Sequence, residues 1–232
     1  MALYQKPYKL VNQVISAVGN GASVLEEGEF NPNSVNALGA FLYNKYHSIF
    51  RNALFLRPWI FASKRFACTY VEPVPDFELD KGYIFRLETY NEELDKEYDV
   101  AYIHQLDFTE WYKKNYKSQT EAKKKFLYVR VFNAKEKTFV TQVTLYERPV
   151  SEWSNLIEAE AVIVPEIGDC PEYFTAFLEA SLEAPLLQFL QGTADTNEYK
   201  LAEAKKNMAF ENAINAHKLV DHREDIISAK GL

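Results

Sequence analysis

The stretch Arg51–Cys68, RNALFLRPWIFASKRFAC, constrains the fold more than any other part of the chain. A helical run closes here in Ala53, Leu54 and Leu56, and Arg57-Pro58 then interrupts it. Proline disfavours the helical region for the residue before it and presets its own φ for a new start. Trp59 and Phe61 follow at once, with Lys64 and Arg65 behind them. The chain is therefore expected to turn at Arg57 and to drive Trp59 and Phe61 into a core.

Upstream of this block the pattern is helical. Residues 5–18 place Leu10, Val11, Val14, Ile15 and Val18 on one helix face. Gly19-Asn20-Gly21 stops that helix. The triplet is no phosphate loop, because no strand precedes it and no Lys-Ser/Thr pair follows. A second helix is expected over 32–56, with Asn31 as N-cap and Pro32 in the first turn. Its stripe is Val35, Leu38, Leu42, Ile49 and Ala53, with Tyr46 alongside and Gly39 and Tyr43 at the apolar border. His47 reads as a satisfied or exposed histidine rather than a ligand.

Downstream the texture changes to strand. Thr69–Val74 is rich in β-branched and aromatic residues, and Tyr83–Leu87, Val100–Leu106, Phe126–Phe132 and Phe139–Tyr146 share that character. Asn133-Ala134-Lys135-Glu136 reads as a hairpin turn. An antiparallel β region is thus expected from about 69 to 148. Asp107–Ser118, with Trp111, Tyr112 and Tyr116, fits a short helix or a loop. Ser151–Val164 fits either a helix, through Trp153, Ile157, Ala161 and Val164, or a strand, through alternation at Ala159–Val164.

Helical spacing then returns. Phe174, Phe177, Leu178, Leu182, Leu186, Phe189 and Leu190 form a stripe over 171–190, with Asp169 as the expected cap. Pro185 interrupts the stripe and is expected to kink it. Gly192 sits where a left-handed terminating residue belongs. Asp195 and Glu198 have the spacing of a capping box ahead of a last helix over 197–220. Its stripe is Ala202, Ala209, Ala213, Ala216 and Val220, with Met208. Beyond Asp221 the tail has little periodicity.

This order implies an α+β fold: a helical bundle formed by both chain ends with an inserted antiparallel β domain. The helical part is expected to hold 1–68 and 170–232, and the β-rich insert 69–169. With 232 residues, 47% of them hydrophobic, and with 16 Phe and 15 Tyr, the chain can bury a sizeable core. The first twenty residues show no apolar signal core, and no run reaches the roughly 18–20 apolar residues needed to cross a bilayer. Cys68 and Cys170 lie far apart without CxxC spacing, so two buried thiols in a reducing compartment are expected. The formal net charge is −7, which does not suit a nucleic-acid-binding surface. Lys123–Lys125, near Lys113, Lys114 and Lys117, reads as a solvated face.

Chemistry-bearing patterns are few. The chain has no G-x-S-x-G, HExxH or Walker loop. His217, Asp221 and His222 are metal-ligand types, but 222 is rotated off the face that 217 and 221 share, and the group reads as a solvated helix end. His104 and Asp107 sit in an expected strand, on opposite faces. Glu92, Glu93, Asp95, Glu97 and Asp99 lack the glycine and terminal glutamate of a calcium-binding loop. No catalytic, cofactor-binding or metal-binding residue is assigned, and the chain reads as a protein other than an enzyme.

The block Ala53-Leu54 … Arg57-Pro58-Trp59-x-Phe61-Ala62-x-Lys64-Arg65 resembles the signature of the head–tail connector proteins of short-tailed bacteriophages, the adaptor or tail tubular A-like family. Pro171-Glu172-Tyr173-Phe174 … Ala176-Phe177-Leu178 … Leu182 and the alanine-rich run Leu201–Ala216 resemble the helices by which that family returns to its base. The resemblance covers about 1–68 and 170–220, and region 90–165 has no counterpart in it. It implies a structural virion protein, made in the cytoplasm of a bacterial host and placed at the head–tail junction. Such a protein forms a homo-oligomeric ring, twelvefold in the family, that joins the portal protein to a downstream tail protein. Double-stranded DNA passes through the ring without specific binding, and no membrane is involved. Arg57, Pro58, Trp59 and Phe61 would form the core and hinge. In the tail, Arg223, Ile226, Ile227 and Leu232 are candidate portal contacts. The alternative from the residues alone is a β-rich protein-binding module on a helical base, without enzymatic activity.

Overall fold

The computed structural model describes residues 4–71, 83–87, 89–91, 96–108, 126–133, 138–145 and 157–229. They form a mixed α+β structure in which N- and C-terminal helices pack together and an antiparallel sheet is inserted between them in the sequence. The chain divides into two compact units, Met1–Ala62 with Pro165–Leu232, and Ser63–Val164.

The helical unit is built around one buried helix, α3 (Glu172–Gln191). Helices α1 (Pro7–Val18), α2 (Ala37–Phe55) and α4 (Asn197–Ala229) all pack against it. This central position explains why α3 is apolar almost all round. Phe174, Phe177, Leu178, Leu182, Leu186 and Leu187 are buried, and so are the small or polar residues Thr175, Ala180, Ser181 and Ala184. The helix runs through Pro185 without a break. It ends at Gly192, whose φ of 71° and ψ of 3° are the left-handed geometry its position predicts. The outer end of the stripe is less buried than the spacing suggests: Phe189 and Leu190 are substantially exposed, and Phe189 stacks on Phe41 of α2.

The start of α2 and the caps of α3 and α4 differ from those the sequence predicts, and at α2 the reason is that a neighbouring polar residue makes the cap. Helix α2 begins at Ala37, and its cap is Asn36, whose side chain accepts from the N–H groups of Leu38 and Gly39. Asn31 instead closes a local turn by accepting from Asn33 N–H. Val35 therefore precedes the helix and is fully exposed rather than part of its stripe. Asp169 lies in a single 3₁₀ turn, Ile167–Asp169, and α3 is entered through Pro171 without a side-chain cap. At α4 the hydroxyl of Thr196 accepts from Tyr199 N–H, while Asp195 pairs with Lys200.

Asn36 is anchored twice, since its amide also donates to Glu29 Oε1 at 2.9 Å. Glu29 in turn accepts from Glu26 N–H. Both bonds hold the Glu29 carboxyl below its ordinary range, the bond from Asn36 being the larger influence. Replacing Asn36 with alanine removes a cap and this cross-link together. A loss of about 1–2 kcal/mol in chemical denaturation is expected, and an Asn36→Ser variant should lose less because its hydroxyl keeps a capping oxygen without setting a second carboxylate against Glu29.

The second unit is a six-stranded antiparallel sheet in the order β5-β8-β1-β2-β7-β6. Its strands are β1 (Ser63–Val71), β2 (Tyr83–Leu87), β5 (Val100–Phe108), β6 (Phe126–Asn133), β7 (Thr138–Leu145) and β8 (Ile157–Ile163). A short separate pair joins β3 (Tyr90–Asn91) to β4 (Lys96–Glu97). Strand β1 lies between β2 and β8, with Phe66 opposite Ala159 and Arg65 opposite Glu160. The buried side chains described here are Phe66, Leu87, Val100, Ile103, Ala159, Ala161, Val162 and Ile163. Strand β8 resolves the ambiguity of Ser151–Val164 for its own residues, which are extended. Strand β6 pairs with β7 from Phe126–Leu145 to Asn133–Thr138. Of the expected turn Asn133–Glu136, Asn133 is the last residue of β6, and of the expected helix or loop Asp107–Ser118, Asp107 and Phe108 belong to β5; the rest of both lie outside the described residues.

Strand β1 begins at Ser63. The segment Ser63–Cys68, expected to belong with the helices, is hydrogen-bonded along β8 and falls in the second unit. The return boundary likewise lies at Pro165 rather than 170.

Candidate functional site

The block around Trp59 takes its shape from the helix that precedes it. Helix α2 closes at Phe55, Leu56 keeps helical φ and ψ as its cap, and the chain turns through Arg57-Pro58. Trp59 then enters the core fully buried. Its indole Nε1–H donates to Ala53 O at 2.8 Å, so a carbonyl at the end of α2 gains a donor from the far side of the turn. Ala62 N–H donates to Trp59 O at 3.0 Å and closes the 3₁₀ turn Ile60–Ala62 that leads into the sheet.

Around the indole lies an aromatic cluster drawn from three parts of the sequence. Phe174 meets Trp59 edge-on at 5.2 Å between ring centroids, and His217 meets it edge-on at the same distance. Tyr173 and Phe61 lie at 6.3 and 6.1 Å. Phe61 is half-buried rather than fully buried, and packs on Phe174 at 4.9 Å. The Arg57 guanidinium stands 5.5 Å from the Trp59 ring centroid, a cation–π distance. Pro58 is exposed. From Phe174 the ring contacts continue through Phe50 to Tyr46 and His47. Tyr43, His47 and Phe30 form the outer end of this line.

His217 corrects one expectation. The spacing of His217, Asp221 and His222 reads as a solvated helix end, yet His217 is 2% exposed and lies against Trp59. The signal was present in the sequence: His217 follows Ala213 by one helical turn and extends the buried line of Ala202 and Ala213. Among the described residues no group of His, Cys, Asp and Glu is gathered to hold a metal. His104 and Asp107 both lie in β5.

The alanine stripe of α4 is partly buried inside the helical unit. Ala202 packs with Ala184 and Leu187 of α3, and Ala213 is fully buried. The rings of Phe210 and Phe177 lie 5.2 Å apart between centroids, tilted by 43°. Glu183, 5% exposed on α3, is paired with Lys205 of α4. This pair gives a buried carboxylate its counter-charge. On the opposite side of α4, Leu201, Met208 and Leu219 are exposed, so Met208 does not join the core.

The tail also differs from expectation. Helix α4 continues to Ala229, for 33 residues or about 50 Å at 1.5 Å per residue. Arg223, Ile226 and Ile227 therefore lie within a helix, and Leu232 lies outside the described residues.

Titration directions follow burial. Cys170 is buried, and its thiol is pushed up to about 12 by that burial, with Asp169 adding to the shift. It is a poor nucleophile at neutral pH. Tyr46 is raised mainly by burial. His47 is held below the usual histidine value by burial first and by Arg51 second.

No family model and no curated protein matches the chain. Among the described residues, no helix is long and apolar enough to cross a membrane.

Proposed function

We propose that this protein is a structural virion component: a ring-forming adaptor that joins a phage portal to the tail and lines the path of the genome. The observation that carries the reading is the Trp59 block. It closes a helical base made from both chain ends and hands the chain directly into an antiparallel sheet. The residues that resemble the connector signature are the ones that make this junction. The acidic net charge of −7 also fits a channel through which DNA slides without adhering, because like charges repel the phosphates. In this reading the working parts are surfaces, and the protein acts without turnover, metal or cofactor.

The end of α4 is the proposed portal contact, through Arg223, Ile226 and Ile227, with Leu232 beyond them. In this reading 221–232 serves the contact rather than the core, so removing it should leave the helical unit folded, with the same denaturation midpoint within error. Affinity for the portal protein should fall at least tenfold in a sedimentation or biolayer binding assay. Unchanged portal affinity in the truncated protein would remove the C-terminal contact from the proposal.

A further inference from the structure

We draw no further inference here: the strongest candidate, the exposed apolar line of Leu201, Met208 and Leu219 along the outer side of α4, is a helix face for which nothing in the structure shows what covers it.

Discussion

Replacing Trp59 with alanine is expected to cost about 3–5 kcal/mol of folding stability. The indole is fully buried, and it touches residues from the end of α2, the start of α3 and the middle of α4. Its loss would open a cavity at the point where these three segments meet, and would leave Ala53 O without its indole donor. A Trp59→Phe variant separates the two contributions. It keeps most of the apolar packing and loses the hydrogen bond, so a smaller cost of about 1–2 kcal/mol is expected. Urea denaturation followed by far-ultraviolet circular dichroism reads both. If Trp59→Ala keeps wild-type stability, Trp59 is not the core residue described here.

The second large effect is expected at Gly39, in the first turn of α2. A β-carbon built there would stand 2.3 Å from the backbone oxygen of Glu29 and 3.3 Å from Ser34 Oγ. Intrinsic helix propensity favours alanine over glycine by about 1 kcal/mol. The clash acts in the opposite direction and is larger, because overpacking against backbone costs typically about 1–3 kcal/mol. The Glu29 segment cannot easily retreat, since its side chain is tied to Asn36 and to Glu26 N–H. Gly39→Ala is thus expected to be destabilising on balance, and Gly39→Leu more so. A rise in the denaturation midpoint for Gly39→Ala would show that propensity wins and that the Glu29 turn is free to move.

The parts of this fold legible in the sequence were those that a single strong pattern determines. The α3 stripe, the left-handed Gly192 and the strand Tyr83–Leu87 follow from spacing, turn chemistry and β-branched content. The helix starts were less legible, because Asn31, Asn33, Ser34 and Asn36 are all capable caps within a few residues. The choice falls on Asn36 through its bond to Glu29, a contact between segments that spacing alone does not carry. The start of β1 was hidden for a similar reason. Ser63–Cys68 looks like the end of the Trp59 block until its partner strand, β8, is known.

The candidate site divides in the same way. Arg57-Pro58-Trp59 announced a turn and a buried indole from local chemistry alone. The ring contacts of Trp59 with Phe174 and His217 depend on α3 and α4 returning from the far end of the chain. The burial of His217 is hidden by its polar neighbours, Asp221 and His222, and is signalled instead by the small residues that precede it on the same face. The helical tail is not legible in the sequence because the apolar residues beyond Asp221 are few. Its helix is the direct continuation of α4.

The central proposal, a ring on a portal, is tested most directly by native mass measurement of the protein mixed with its portal, paired with electron microscopy of the same sample. The expected result is a discrete complex carrying a fixed number of chains per portal, twelve if it follows the resemblance, with a closed ring stacked on the portal in projection. A protein that stays monomeric at every ratio and leaves the portal undecorated would contradict it.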